Sequence, residues 1–261
     1  MRRARARAAG HVTEIDDVAA RGFQAGAAAY ETARPGYPDE ALSLLAAELG
    51  VGPGTTVCDL AAGTGKLTRR LVEAGAEVLA VEPVAEMRRQ MADAVPGVEA
   101  VDGTAEAIPV ADASVDVVTV AQAFHWFDAP AALVEIARVL RPGGGLALLW
   151  NERDETTAWV AEMSRVIKWH DRTVSRYQHV RWPDVVAACG RFGPLQERTI
   201  SWEQPMTLEL LAERVRSISY IAAMPVPERE RLVAEVAGLV SRLPEPFPLP
   251  YTCRVQWCRR H

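Results

Sequence analysis

The segment of residues 55–66, TTVCDLAAGTGK, constrains the fold of this chain more than any other. An apolar run that begins at Val57 predicts a buried strand ending near Asp59. Gly63 and Gly65 then permit a sharp turn and a close approach of the backbone to a ligand. Apolar residues recur at helical spacing directly after this turn. A strand, a glycine turn and a helix in this order predict a nucleotide-type site at the carboxyl end of a parallel strand.

Acidic side chains stand at the predicted ends of two strands. Asp59 ends the first strand, and Glu82 follows the apolar residues 78–81, which predict the second. A carboxylate repels a phosphate but suits a cation or a hydroxyl or amine donor. Glu82 is placed to accept hydrogen bonds from both hydroxyls of a ribose. The sequence therefore predicts a nucleoside ligand that carries a positive group.

Three stretches, VCDLAAGTGKLT, VEP and RVLRPGGGLALLW, resemble the class I S-adenosylmethionine-dependent methyltransferases. The resemblance implies an α/β, Rossmann-like fold in which a mostly parallel seven-stranded sheet has helices on both faces and carries a small helical lid. The first stretch departs from the family pattern, because Ala61 stands where the family most often has its first glycine. Alanine is tolerable at this position if its φ is negative, and it leaves the tighter part of the turn to Gly63 and Gly65.

The resemblance also implies S-adenosylmethionine as the cofactor, without a metal. In the family, a segment like the one containing Tyr30 and Arg34 closes over the cofactor, so both side chains are expected to meet its carboxylate; a packed tyrosine and a solvated arginine are the alternatives. Met87 holds the place of an apolar side chain that stacks on adenine. Thr104 replaces a common acidic residue, so its hydroxyl and the backbone of Ala105 are expected to hold the adenine amino group. The expected cofactor-binding set is Tyr30, Arg34, Asp59, Ala61, Gly63, Gly65, Glu82, Pro83, Met87, Thr104, Ala105, Glu106, Gln122 and Ala123.

The segment AQAFHWFD, residues 121–128, places polar and aromatic groups at the carboxyl end of the predicted fourth strand. These groups are candidates for ligand contact; alternatively, the aromatic side chains of Phe124, Trp126 and Phe127 fill the core beneath the edge of the sheet. A buried histidine needs partners, so His125 is the candidate catalytic residue and, with Trp126, a candidate substrate contact. The segment is similar to small-molecule methyltransferases that include the trans-aconitate-type carboxyl methyltransferases. The chain lacks the Asn/Asp-Pro-Pro-Tyr/Phe signature that often accompanies amine or amide acceptors, which favours an oxygen acceptor.

Composition excludes several classes of protein. The 261 residues suffice for one α/β domain, and an apolar fraction of 49% suits a soluble globular chain. A net charge of -5 argues against a nucleic-acid partner. The four cysteines are scattered and predict reduced thiols in a cytoplasmic protein. No apolar run reaches the roughly 20 residues that a membrane span requires.

We expect the chain to have three functional parts. Residues 1–20 carry several arginines without the apolar core of a signal peptide, and predict a disordered basic tail; binding to an anionic surface is the alternative. Residues 21–261 form the methyltransferase domain. Within it, residues 30–151 are the expected cofactor-binding core, and residues 152–261 supply the substrate-side helices, the lid and the last strands. Monomer and homodimer both remain open.

Two amphipathic helices are predicted between the last strands, and together they would form the lid. Arg216 and Tyr220 are expected to reach the substrate from this lid, and Asn151 from the end of the fifth strand. Residues 168–184 lack a clear period and predict an irregular segment near the substrate mouth.

These features predict a methyltransferase that acts on a small molecule, with O-methylation of a carboxylate or a hydroxyl by in-line transfer. A carboxylate is already ionised, so Arg216 or Arg153 would only position it. A phenol or an alcohol requires a base, and His125 is the candidate. The alternatives are a non-catalytic cofactor-binding module and a nicotinamide-dependent oxidoreductase, whose fingerprint needs a glycine where Thr68 stands.

Overall fold

The computed structural model describes residues 34–171 and 180–261, so Tyr30 and the predicted tail lie outside the described residues. The strands in these ranges are β1 Thr56–Leu60, β2 Glu77–Val81, β3 Ala100–Val101, β4 Val115–Ala121, β5 Leu140–Arg153, β6 Gln196–Met206 and β7 Phe247–Arg259. The helices in the same ranges are α1 Asp39–Leu49, α2 Lys66–Glu73, α3 Ala85–Ala94, α4 Ala129–Val139, α5 Ala158–Val166, α6 Trp182–Cys189, α7 Leu208–Arg216, α8 Ser219–Ala222 and α9 Val226–Val240.

The strands form one seven-stranded sheet in the order β3-β2-β1-β4-β5-β7-β6. The pairs from β3 through β5 are parallel, whereas β7 is antiparallel to both β5 and β6. The sheet is therefore mixed, with β7 as the antiparallel strand of a sheet that was predicted to be mostly parallel. The strand order reverses beside β1, which pairs with β2 on one side and with β4 on the other. A crevice opens at the carboxyl ends of the strands at such a switch point.

Helices cover both faces of the sheet, and β1 shows why its sequence is apolar throughout. Val57 packs into a core cluster with α1 and α2, while the next residue, Cys58, packs into a second cluster with α4 and α6. Neither residue has any exposed surface. Successive side chains of a strand point to opposite faces, so a strand covered on both sides needs a continuous apolar run.

The predicted irregular segment, residues 168–184, is corrected at its end, where α6 begins at Trp182. Pro183 lies in the first turn of this helix, where its missing N–H costs nothing. The Trp182 ring stacks on Trp150 with ring centroids 5.8 Å apart and meets Phe124 edge-on at 5.1 Å. This end of the segment therefore belongs to the core and not to a substrate mouth. The helix has only eight residues, too few to display a periodic pattern.

The helices α5, α7, α8 and α9 share a third apolar cluster with β7, and we call them the helical group. The predicted first lid helix is interrupted, because α7 ends at Arg216 and the short α8 begins at Ser219. The group packs beside Tyr251 and Phe247 of β7, next to the end of β5. No helix within the described ranges is both long and apolar enough to cross a membrane.

Candidate functional site

The glycine turn connects β1 to α2 and is held to the neighbouring strand. Gly63 has φ 60° and Gly65 has φ 85°, both in the left-handed region that favours glycine. The Gly63 N–H donates a hydrogen bond of 2.9 Å to Oε2 of Glu82, which follows β2. The turn predicted from the sequence is therefore present, and a carboxylate at the end of the adjacent strand fixes its conformation.

Ala61 does not have the negative φ that would make alanine easy to accommodate in this turn. Its φ is 55°, in the left-handed region. The chain leaves β1 at this residue, and the N–H of the following residue, Ala62, donates to the carbonyl oxygen of Val81 at 3.1 Å. That hydrogen bond fixes the direction of the chain before the glycines are reached. The first left-handed residue of the turn is therefore the one at which this sequence departs from the family pattern.

The Ala61→Gly variant is expected to unfold at a higher temperature than the wild type. A left-handed alanine costs about 1 to 2 kcal/mol, and the greater freedom of glycine in the unfolded chain offsets about 0.4 to 1 kcal/mol of that gain. The net stabilisation is about 1 kcal/mol, or about 2 to 4 °C in a chain of this size. Calorimetric unfolding measures it, with Ala62→Gly as the control that should lose stability. A melting temperature for Ala61→Gly at or below that of the wild type would contradict the left-handed conformation.

Asp59 lies beneath the turn and is 1% exposed. Its Oδ2 accepts a hydrogen bond from the Thr68 hydroxyl at 2.6 Å, and its Oδ1 accepts one from the Thr119 hydroxyl at 2.8 Å. Burial raises the pKa of Asp59 to about 6, although these hydroxyls lower it. Thr68 therefore has a defined role: it holds the Asp59 carboxylate at the position where a dinucleotide fingerprint would need a glycine.

Glu82 stands at the end of β2 and is 5% exposed. Besides the bond from Gly63, its Oε1 accepts a hydrogen bond from the N–H of Val84 at 2.8 Å. Burial raises the pKa of Glu82, and the two backbone donors oppose that rise. The structure thus places the two predicted carboxylates at the ends of neighbouring strands, one beneath and one beside the same glycine turn.

A cleft opens at the carboxyl ends of β1, β4 and β5. Several residues predicted from the sequence line it: Arg34, Asp59, Ala61, Gly63, Gln122, Asn151 and Arg153. Sequence reasoning missed other lining residues: Tyr37, Thr64, Lys66, Glu155, Trp169, Arg214 and Tyr251.

Gln122 and Asn151 connect the middle of the cleft to the segment before α1. The Gln122 side chain donates to the carbonyl oxygen of Asn151 at 3.0 Å, from a left-handed backbone with φ 59°. The Asn151 amide nitrogen donates to the Gly36 carbonyl oxygen at 2.8 Å, and its side-chain oxygen accepts from Trp202 at 3.1 Å. The Asn151 side chain therefore fastens the segment that carries Arg34 to β5.

The remaining predicted site residues are not among those lining this cleft. Met87 is buried on α3, and Ala105 is buried in a core cluster. The Glu106 carboxylate accepts a hydrogen bond of 2.9 Å from the N–H of Asp128, the residue that caps the start of α4. The predicted residues outside the cleft lining are Gly65, Glu82, Pro83, Met87, Thr104, Ala105, Glu106, Ala123, His125, Trp126, Arg216 and Tyr220.

His125 lies in a 3-10 turn, Phe124–Trp126, directly after β4. Its ring is 4.8 Å from the Trp126 ring between centroids. Burial lowers the pKa of His125 to about 4, so the imidazole is neutral at physiological pH. A neutral imidazole is able to accept a proton, and the lowered pKa makes this one a weaker base than an exposed histidine.

Of the two arginines near the end of α7, Arg214 lines the cleft and the predicted Arg216 does not. The Arg216 guanidinium pairs with Glu230 at 2.6 Å and with Glu213 at 2.8 Å, away from the cleft lining. Arg214 lines the cleft, is 7% exposed and donates to the Tyr251 hydroxyl at 3.4 Å. Helical spacing gives the reason: Arg214 lies three residues after the buried Leu211, whereas a residue two positions further along points elsewhere. An arginine on an apolar helix stripe is the signal that would have identified it.

Tyr220, the other predicted lid residue, donates its hydroxyl to the carbonyl oxygen of Ile167 at 2.9 Å. This hydrogen bond joins α8 to the end of α5 within the helical group. The Tyr220 hydroxyl therefore holds two elements of that group together.

Solved methyltransferase structures share this fold. A candidate type II methyltransferase from Anaeromyxobacter dehalogenans superposes with a TM-score of 0.61 at 25% identity, over 87% of this chain and 97% of that one. A Haemonchus contortus phosphoethanolamine N-methyltransferase, in complex with phosphomonomethylethanolamine and S-adenosylhomocysteine, gives 0.56 at 16% identity over 93% of this chain and 59% of that one. The second likeness shows the fold alone. Together with the cleft, they define the class as a Rossmann-like methyltransferase.

The sequence comparisons agree with the fold. Residues 58–148 match the methyltransferase domain family. An uncharacterized methyltransferase of Mycobacterium bovis is 41% identical over 222 residues, which are 85% of this chain and 86% of that protein. The chain therefore belongs to the class I S-adenosylmethionine-dependent methyltransferases.

Proposed function

We propose that this methyltransferase transfers a methyl group from S-adenosylmethionine to an oxygen atom of a small molecule, either a carboxylate or a hydroxyl. The observation that carries the proposal is the continuity of one cleft. Its lining includes Asp59 and Gly63 from the glycine turn and also Arg153 and Arg214 from beyond β5. A cofactor held at the first end and a substrate molecule that extends from the second would share one cleft.

The residues at the glycine turn fit the cofactor. A side-chain carbon added to Gly63 would meet no atom within 4 Å, so the backbone there is open to a close approach. Asp59 and Glu82 offer carboxylate oxygens to amine and hydroxyl donors. We assign cofactor binding to these residues, with Arg34 and Gln122 from the cleft lining. The bound cofactor supplies an electrophilic methyl group on a cationic sulfur.

The polar side chains of the cleft suit an oxygen acceptor. The chain also lacks the Asn/Asp-Pro-Pro-Tyr/Phe signature that often accompanies amine or amide acceptors. A carboxylate needs no base, and the protein would contribute alignment and exclusion of water, effects worth up to about 7 to 11 kcal/mol in well-oriented reactions. For a hydroxyl acceptor, we assign the base to His125, which lies outside the cleft lining but only three residues after Gln122, which lines it. In-line transfer leaves S-adenosylhomocysteine and a methyl ester or ether.

The test is a radiolabel transfer assay with methyl-labelled S-adenosylmethionine and a panel of small carboxylic acids, phenols and matched amines. We expect labelled esters or ethers to form, and the amines to accept little label. The His125→Ala variant should lose phenol methylation by about 100-fold and retain carboxylate methylation and cofactor affinity. Label on the amines alone would overturn oxygen transfer. Full phenol activity of His125→Ala would remove His125 from the reaction.

A further inference from the structure

Two arginines of the cleft, the half-buried Arg153 and the buried Arg214, lack acidic partners. Among residues 34–171 and 180–261, neither Arg153 nor Arg214 has a carboxylate oxygen within ion-pair distance. The Arg153 Nε and the Arg214 Nη1 are buried and have no hydrogen-bond partner in the same ranges. Glu155 lines the cleft nearby, but its carboxylate contacts the His170 ring at 2.8 Å.

Several other arginines of the described residues are paired with carboxylates, and two of them show the contrast. Arg254 holds both carboxylate oxygens of Glu152 at 2.7 Å, and Arg138 contacts Glu135 and Asp112. An uncompensated buried cation costs several kcal/mol. Such a cost is retained where a ligand supplies the missing charge, which makes buried unpaired cations candidate binding groups.

The two guanidinium groups act on each other and are held in place. Burial lowers the pKa of Arg153, the positive charge of Arg214 lowers it further, and the charge of Glu155 opposes this only in part. The Arg153 guanidinium lies over the Trp169 ring, 4.5 Å from its centroid, which fixes the plane of the group. Arg214 is fixed by its bond to the Tyr251 hydroxyl. An anion with two or more oxygens, such as a carboxylate or a phosphate, matches guanidinium donors of this kind.

We propose that Arg153 and Arg214 form an anchor site for an anionic group of the substrate that is not the oxygen receiving the methyl. The proposal rests on the function proposed above and narrows it. The substrate would carry a carboxylate or a phosphate in addition to its accepting oxygen. The anion would supply the charge that the described residues do not.

Chemistry separates the anchored group from the accepting one. An oxygen clamped by two guanidiniums has its lone pairs engaged and its charge neutralised, so it is a poor nucleophile. The strand order places β5, which carries Arg153, two strands from β1. Neighbouring strands are about 4.8 Å apart, so β5 lies roughly 10 Å to one side of β1, and Arg153 at the end of β5 lies further along the cleft. A substrate with two functional groups would place one at the anchor site and the other toward the methyl donor.

The anchor site is testable without methyl transfer. Succinate and inorganic phosphate serve as probes in calorimetric titrations of the full chain, at constant ionic strength in chloride. We expect the wild type to bind at least one probe, and Arg153→Gln and Arg214→Gln each to weaken that binding by at least tenfold. Arg165→Gln is the control, because Arg165 is exposed and pairs with Glu162 outside the cleft. Arg214→Lys keeps the charge and should fold if the glutamine variant does not, with an intermediate loss.

Transfer assays identify the anchored group. 3-Hydroxybenzoate, 3-hydroxybenzamide and 3-hydroxyphenyl phosphate present the same phenol beside a carboxylate, a neutral amide and a phosphate. Succinate and its monomethyl ester extend the comparison to a carboxylate acceptor. We expect kcat/KM to favour one anionic member over its neutral counterpart by at least tenfold, through KM. Arg214→Gln should abolish that preference.

The outcomes separate the two proposals. Oxygen methylation that is equal for acid and amide and unaffected in the Arg153 and Arg214 variants would overturn the anchor site and leave the proposed function intact. Anion binding that these variants abolish, together with methyl transfer to nitrogen alone, would overturn the oxygen acceptor and leave the anchor site. If neither probe binds the wild type, the anchor site is wrong.

Discussion

The Asp59→Asn variant is expected to bind S-adenosylmethionine at least tenfold more weakly than the wild type at pH 8, and to be more stable than the wild type without ligand. Both effects follow from one buried carboxylate. Asparagine keeps the shape and can still bond to the hydroxyls of Thr68 and Thr119, but it cannot attract a cationic ligand. The binding measurement is a calorimetric titration of both proteins.

The stability change depends on pH, and its sign follows from the pKa of Asp59. Burial raises this pKa from 3.8 to about 6, so the folded wild type binds the proton more tightly than the unfolded chain does. The wild type therefore loses stability as pH rises from about 4 to about 6, by an amount on the order of 3 kcal/mol for two pKa units. Asp59→Asn escapes this loss. Its advantage should be largest at pH 8 and vanish near pH 4.

A control residue with the opposite shift makes the measurement decisive. For Asp116, hydrogen bonds from Arg141 and from the N–H of Thr56 outweigh burial and lower its pKa. Its carboxylate contributes stability at neutral pH that is lost on acidification, so Asp116→Asn should be less stable than the wild type at pH 8. Urea unfolding at several pH values resolves both trends. An Asp59→Asn protein that is less stable at pH 8 and binds cofactor normally would overturn the assignment.

The Gly65→Ala variant is expected to lose about 2 to 5 kcal/mol of stability, the sum of a left-handed alanine and an overpacked core. A carbon added there would lie 2.9 Å from Cγ2 of Val95 and 3.0 Å from Cγ of Met91. Both neighbours are buried, with Met91 wholly inaccessible, so neither is able to move into solvent. The expected loss is a large part of the stability of an ordinary domain.

Gly63→Ala is the matched comparison, because it lies two residues away with a similar φ. The added carbon would meet no atom within 4 Å, so the stability loss should be limited to about 1 to 2 kcal/mol of backbone strain. Gly63 lines the cleft, and its variant should instead lose cofactor affinity. Thermal unfolding and cofactor titration of both variants give the comparison. Equal stability losses in the two variants would show that α3 does not pack against the turn as described.

The sequence by itself determined the strand, glycine turn and helix around Asp59, since local spacing and backbone freedom produce that unit. The methyltransferase class followed from the same motifs. The sequence also located Glu82 and the apolar strands next to β1, because a buried strand is visible as a continuous run of apolar residues. The predictions that failed depended on distant contacts: Ala61 is left-handed because of a hydrogen bond to β2, and the helix at Trp182 exists through packing on the aromatic core.

Only the tertiary structure decided which charged side chains share the cleft. Arg214 and Arg216 are alike in the sequence, yet Glu230 neutralises one of them and the other is buried beside Arg153 without a carboxylate partner in the described residues. Charge compensation depends on which elements pack together, and residues far apart in the chain carry no local sign of it. Local backbone chemistry therefore determined the turn to which we assign the nucleoside, and long-range packing determined the pair of arginines to which we assign a substrate anion.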